Sequence, residues 1–363
     1  MSLPVYIGAE SIISSLGRNA AVNFKRICQG LSGITLHKQL GWKESDVYLS
    51  RIPELPERGK FLHLLNAVLD DLHQGWDADM LSSPDTQVII SSTKGGISDD
   101  LKNPFHPAVT ALVARYSLVN RPLILSNACI SGVIAINLAA RMIRNELCRH
   151  VIVLGCDLIS DFILYGFQSL YAVSDLPCKP FDQDRRGVTL GDGCGRVILS
   201  RDKSTFSSKP MVYLGGSDAN DANHISGPSR TGEGLVRAVE KALIASNVNP
   251  DQIGFINAHG TGTLYNDEME AIAFHRLGLD SIPLNSLKGY WGHTLGAAGV
   301  IETATCLQSL RNGILPASLG YENPGTTKPL HILKDNRPFD GEIILKTASG
   351  FGGGNAALLI QKE

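Results

Sequence analysis

Along the whole chain, short β-branched apolar runs alternate with segments whose apolar residues recur at helical spacing. Residues 87–93 (QVIISST), 122–127 (PLILSN), 150–157 (HVIVLGCD) and 195–201 (GRVILSR) read as strands buried on both faces. So do 254–260 (GFINAHG), 282–286 (IPLNS) and 342–349 (EIILKTAS), which are too short for helices. Between them, 61–75, 135–148, 234–247 and 267–278 carry apolar residues at helical spacing, which predicts amphipathic helices. Such alternation predicts an α/β class with helices covering sheets. Two stretches also share one plan: 122–143 (PLILSNACISGVIAINLAARMI) and 283–307 (PLNSLKGYWGHTLGAAGVIETATCL) each run strand, polar turn, glycine, small-residue helix. That parallel predicts an internal duplication. The first turn holds Cys129 and the second His293.

Composition narrows the class. The 363 residues are 43% hydrophobic and 19% charged, an ordinary globular balance on a chain long enough for two halves. A formal net charge of -2 supplies no global field for nucleic acid, so a charged partner would need a local patch. The seven cysteines form no CxxC pair, and their odd number suits neither a disulfide framework nor a structural zinc site. That usage points to a reducing compartment, the cytoplasm. No basic region precedes a long apolar run at the N-terminus, so no secretory leader is expected. The uncharged run SGVIAINLAA is about half the length a membrane crossing requires, so no membrane partner is expected either.

Three segments carry candidate chemistry, each beside a plainer reading. Cys129 stands between an apolar strand and the first turn of a helix. A buried cysteine there can be an inert small hydrophobe, or a nucleophile whose thiolate the helix N-terminus stabilises. Small neighbours, Ala128, Ser131 and Gly132, allow a sharp turn. In NAHGTGTLYNDEMEA (257–271), His259 closes a strand as a polar cap or as a functional imidazole. The glycines after it permit close ligand approach, and Thr261 and Thr263 offer hydroxyls. Asp267 and Glu268 read as favourable charges at a helix start. In SLKGYWGHTLGAAGVIE (286–302), His293 precedes Gly296, Ala297, Ala298 and Gly299, small residues that suit only a tightly packed helix. Lys288 and Glu302 could pair there as a buried brace. SGFGGGNAAL (349–358) reads as a flexible turn whose backbone N–H groups could face an oxyanion.

The ordered set NAC-SG, PFDQDRRGVTLGDGCG (180–195), NAHGTGT--ND, K---GH-LGAAG-IE and GFGGGNA resembles the β-ketoacyl-acyl carrier protein synthases across most of the chain. The resemblance implies a thiolase-like fold: duplicated halves, 1–205 with the nucleophile and 206–363 with two histidines, in a five-layer α-β-α-β-α sandwich. It implies a decarboxylative Claisen condensation of acyl- with malonyl-carrier protein, in fatty acid or polyketide assembly, with neither metal nor organic cofactor. It makes Cys129 the acyl acceptor, His259 and His293 the decarboxylation pair, Lys288 their support and Glu302 the carboxylate behind it. Cys129 and Phe351 would give the oxyanion hole, Phe351 would gate the acyl pocket, and Thr261 and Thr263 would bind pantetheine. Acyl carrier protein is the implied partner, with Arg58 and Lys60 as candidate docking cations, and a homodimer is expected, a heterodimer being the variant.

Departures from the family pattern bear on specificity. Gly354 stands where threonine is usual, and Ser349 where phenylalanine often sits. Arg186, Val188 and Asp192 replace a common aspartate, phenylalanine and glutamate. They point to a specialised pathway rather than bulk fatty acid synthesis. Three rivals remain: a thiolase or initiating synthase, which lacks the second histidine; a silent chain-length partner subunit, which normally lacks the nucleophile; and an α/β ligand-binding protein.

Overall fold

Ten strands form the frame, and they repeat. A computed structural model describes residues 3–221, 223–224 and 227–363. In chain order the strands are β1 (Tyr6–Ile13), β2 (Thr86–Ser91), β3 (Leu123–Leu125), β4 (His150–Asp157) and β5 (Gly193–Ser200), then β6 (Met211–Asn220), β7 (Ile253–Asn257), β8 (Leu284–Asn285), β9 (Ile343–Gly350) and β10 (Gly354–Gln361). Their spatial order is β3-β2-β4-β5-β1 in the first half and β8-β7-β9-β10-β6 in the second. Each second-half label is a first-half label plus five. The pairing repeats as well: β2 runs parallel to β3 and β4, and β5 antiparallel to β4 and β1. Likewise β7 runs parallel to β8 and β9, and β10 antiparallel to β9 and β6. The halves join where β1 meets β6 antiparallel, through Tyr6 with Val212 and Ile7 with Met211.

The inner strands carry apolar runs because both of their faces are covered. On β4, Val151 and Val153 enter the central core while Ile152 and Leu154 enter an outer one. On β10, Leu358 and Ile360 face the centre, and Ala357 and Leu359 the opposite outer core. The central layer is two helices, α1 (Ser131–Arg144) and α2 (Ala298–Asn312), which pack on each other and on strands of both halves. Helix Lys60–Asp70 covers the first half, with His106–Tyr116 against it; Glu233–Ser246 covers the second, with Leu264–Arg276 against it. The result is the duplicated five-layer sandwich that the motif resemblance implies.

Small residues at the starts of α1 and α2 let the two helices touch backbone to backbone. Gly132 and Gly299 are each the second residue of their helix. A Cβ on Gly132 would lie 2.7 Å from Val300 N, and one on Gly299 would lie 2.5 Å from Val133 N. Backbone atoms cannot yield as flexible side-chain ends do, so any larger residue at this crossing would push the two helices apart. The crossing sets the spacing of the turns just ahead of the helices, and those turns carry Cys129 and His293.

Three strands of this ten-stranded frame escape the periodicity reading: β1, β6 and β10. The first bulges between Gly8 and Ser11, with Ala9 at φ 48°. The other two mix glycine and polar residues into their runs. The stretch 349–358, expected as a flexible turn, is a turn only at 351–353, with β9 ending at Gly350 and β10 starting at Gly354. No helix among the described residues is long and apolar enough to cross a membrane.

Candidate active site

Cys129 follows β3 in a turn that the chain holds under tension. Ala128, just before it, sits at φ 44°, a left-handed conformation that costs an alanine of order 1 kcal/mol or more. Ser131 fixes the turn: its hydroxyl donates to Ala128 O at 2.6 Å and accepts from Asn127 N at 2.7 Å. Gly350, at the end of β9, approaches so closely that a Cβ there would lie 3.1 Å from Cys129 N. This brings the Phe351 backbone N–H near the Cys129 sulfur, where it favours the thiolate.

The two histidines arrive from the second half. His259 follows β7, and His293 stands between β8 and α2, anchored by its N–H to Thr189 O at 2.7 Å. His293 Nε2 lies 2.9 Å from Cys129 Sγ, and the two imidazole centroids are 5.2 Å apart at 83°. The sulfur and the nearest ring nitrogens all lie within 4.8 Å of one another. Residues 164 apart in sequence thus share one buried cluster.

Lys288, fully buried on the short helix Lys288–Trp291, stands behind His259. Its Nζ is 3.3 Å from His259 Nδ1, reaches the His259 backbone carbonyl, and is 2.8 Å from Glu302 Oε1. An ammonium only donates, so Nδ1 must accept and the His259 proton resides on Nε2. Burial, then Lys288, pushes both imidazoles well below their ordinary titration range, so both are neutral at pH 7. Burial alone would raise Glu302, but the lysines Lys288 and Lys346 outweigh it and hold it below the usual carboxylate range.

The thiol goes the other way. Burial pushes Cys129 up to about 12, outweighing the lowering by Lys288 and by the Phe351 N–H. A helix terminus two residues away does not overcome desolvation of a sulfur that is 7% exposed. The resting form is therefore the thiol, facing His293 Nε2, rather than the thiolate expected from the helix start alone.

Two acidic residues behind His259 do work the motif reading did not assign. Asp267 is no surface charge at a helix start: it is buried and accepts N–H bonds from Phe181 at 2.7 Å, Thr261 at 2.9 Å and Gly262 at 3.1 Å. Glu270 accepts from His259 N at 2.8 Å and Gly260 N at 2.6 Å, and burial pushes it up to about 7. Both sit on helix Leu264–Arg276 three residues apart, so one helix face clamps the whole HGTG turn. The i, i+3 spacing of Asp267 and Glu270 was the available signal. Lys346 on β9 is a third unassigned group; its Nζ is 2.7 Å from Glu302 Oε2.

Cys129, His259 and His293 line a cavity of about 390 Å³ together with Thr261, Thr263 and Phe351. The threonine hydroxyls are 2.9 Å apart. The Phe351 ring stacks on Phe167 with centroids 5.3 Å apart. Leu170, Tyr171, Leu264 and Tyr265, all more than half exposed, ring the mouth. Arg58 and Lys60 lie elsewhere, on a separate cavity of about 980 Å³ where Glu54, Glu57, Asp99 and Asp100 offset their charge.

Comparison with known proteins agrees with this architecture. Residues 118–205 match the family model "Beta-ketoacyl synthase, N-terminal domain", and residues 212–322 match "Beta-ketoacyl synthase, C-terminal domain". A 3-oxoacyl-[acyl-carrier-protein] synthase 2 of Rhizobium meliloti is 31% identical over 294 residues, covering 77% of this chain and 66% of that protein. The protein of the same name from Synechocystis sp. is 33% identical over 249 residues, covering 65% of this chain and 60% of its own. The match thus spans about 60 to 66% of the length of these relatives. A ketosynthase in complex with its chain length factor, from Xenorhabdus doucetiae, superposes with a TM-score of 0.88 at 27% identity, covering 99% of this chain and 98% of that one. With both family domains matched in order and the duplicated fold shared, the chain belongs to the β-ketoacyl synthase family.

Proposed function

We propose that this chain is an acyltransferase that condenses an acyl group with malonyl-carrier protein, with loss of carbon dioxide, in fatty acid or polyketide assembly. One observation carries the reading: a thiol, two neutral imidazoles and a backbone N–H converge at the base of one cavity. In the first half-reaction the Cys129 sulfur attacks the acyl thioester, and its proton passes to His293 Nε2 and on to the departing carrier thiolate. The N–H groups of Cys129 and Phe351 hold the oxygen of the tetrahedral intermediate. In the second, malonyl-carrier protein loses carbon dioxide, and the enolate oxygen accepts N–H bonds from His259 Nε2 and from His293, whose own proton moves from Nδ1 to Nε2 once acylation has removed the thiol proton. Neutral imidazoles donate without adding charge to the site. The carbanion attacks the acyl-enzyme carbonyl, the C–S bond breaks, and the Cys129 sulfur takes a proton from solvent.

Thr261 and Thr263, on the path from the mouth to the sulfur, suit the amides of a pantetheine arm, and Phe351 gates the acyl pocket. Residues 1–205 form the half that carries the nucleophile and 206–363 the half that carries the histidines. The intact thiol argues against a silent partner subunit. Dimerisation is supported by β3, an outermost strand whose Leu123 and Ile124 are 42% and 38% exposed. An unpaired apolar edge of this kind seeks another strand. A second copy or a related chain would both satisfy it; the Xenorhabdus ketosynthase pairs with a chain length factor.

The direct test is reconstitution: acyl-carrier protein and then malonyl-carrier protein are added to the purified enzyme, and products are read by mass. A β-ketoacyl-carrier protein supports the reading; acyl-enzyme with no condensation product rejects it. Docking is tested separately. Arg58→Glu with Lys60→Glu should raise KM for acyl-carrier protein several-fold, with a smaller fall in kcat and no change for a short thioester lacking the carrier. An unmoved KM at low salt retires these two cations.

A further inference from the structure

Lys346 lies in the middle of β9 with none of its surface exposed. A strand covered on both faces has no place for an ammonium unless something specific holds it. Glu302 does: Oε2 is 2.7 Å from Lys346 Nζ, while Oε1 is 2.8 Å from Lys288 Nζ. Lys346 Nζ also donates to Thr347 O at 2.6 Å and reaches Asn257 O at 3.5 Å. One carboxylate therefore bridges two ammonium groups, and the buried set carries one excess positive charge. A brace alone would need a single lysine, and uncompensated buried charge is costly. What the second lysine adds becomes clear from where its chain leads. Five residues beyond Lys346, the turn that follows this strand holds Phe351, whose N–H lies near the Cys129 sulfur. On its other side the bridge leads through Glu302 and Lys288 to His259 Nδ1.

We propose that Lys346 is a positioning residue for the condensation step: it clamps Glu302 from the β9 side, fixes the direction in which Lys288 donates to His259, and ties that clamp to the strand that leads into Phe351. The proposal rests on the condensing function given above. The ammonium also joins Lys288 in opposing protonation of both histidines, though burial is the larger cause. The groups facing His259 are Lys288, His293, Lys346, the Cys129 thiol and, at its backbone N–H, Glu270; those facing His293 are Lys288, Lys346, His259 and the Cys129 thiol. Facing Lys346 are Glu302, Lys288 and the Cys306 thiol. Removing Lys346 withdraws one positive neighbour from each imidazole, so protonation should set in at higher pH.

The test compares Lys346→Met and Lys346→Gln with wild type in the full-length protein. Acyl transfer to Cys129 should stay within about threefold of wild type, while condensation with malonyl-carrier protein falls at least about tenfold at pH 7. The acidic limb of the condensation pH profile should move to higher pH in both variants. Lys346→Gln keeps an N–H donor for Glu302 without the charge, so it reports on the charge if Lys346→Met fails to fold. An unmoved limb with both half-reactions slowed equally makes Lys346 a structural brace and overturns the proposal. Loss of soluble protein in both variants does the same. An active wild type with fully active variants refutes this inference alone; a wild type that never condenses refutes the parent reading as well.

Discussion

Replacing Cys129 by alanine should leave the protein unable to gain the mass of an acyl group from acyl-carrier protein, while wild type gains one. Among the described residues Cys129 is the one thiol lining the cavity. Cys148, Cys156, Cys178, Cys194 and Cys306 are buried elsewhere, and Cys28 is away from the site. Condensation should fall at least about a thousandfold, because the step it feeds has no other acceptor. The fold should survive, since alanine fits where the sulfur sits. The raised thiol adds a finer expectation. With burial pushing Cys129 to about 12, alkylation by iodoacetamide should show no thiolate plateau near neutrality, unlike a cysteine poised by a helix end. Equal acyl incorporation in wild type and Cys129→Ala removes Cys129 as the acceptor.

Much of the frame was legible because its cause is local. The runs VIVL in β4 and IIL in β9 are apolar on both faces, and the sandwich buries both, so they announce themselves. The duplication was legible from 122–143 and 283–307, and its physical basis is the crossing at Gly132 and Gly299, where only small residues fit. The missed strands β1, β6 and β10 are held by neighbours and bulges rather than by their own composition, so no periodicity marks them. The cluster was legible only through ordered motifs, since nothing local says that residues 129, 259 and 293 meet. Lys346 was hidden because a strand reading treats a single charged residue inside an apolar run such as IILKTA as noise. Its meaning needs the partner Glu302, 44 positions away, which only the packed layers bring to 2.7 Å. The thiol's direction of shift was misjudged for a related reason: a helix start is visible in sequence, whereas desolvation is a property of the assembled core.

His259→Ala should separate the two half-reactions. His259 faces the cavity with its Nε2–H; the hydrogen bond to the sulfur, at 2.9 Å, is held by His293. Acyl transfer should therefore persist within about tenfold in His259→Ala, while decarboxylation and condensation fall by about two to three decades, the usual cost of one donor to a developing oxyanion. In His293→Ala both half-reactions should slow, because the acceptor of the thiol proton goes as well. The pH dependence gives an independent check on neutrality. Both histidines titrate well below 6.5 in the folded protein and near 6.5 in the unfolded chain. Below about pH 6.5 the unfolded chain thus binds more protons, so folded stability should fall as pH drops through 6.5 toward the depressed folded values, and stay flat above it on this account. Removing His259 should soften that fall, and condensation by wild type should persist below pH 6.5 rather than halve there. If acyl transfer and condensation drop in step in His259→Ala, or if wild-type condensation is lost at the ordinary imidazole pKa, the neutral donor pair cannot be what stabilises the enolate.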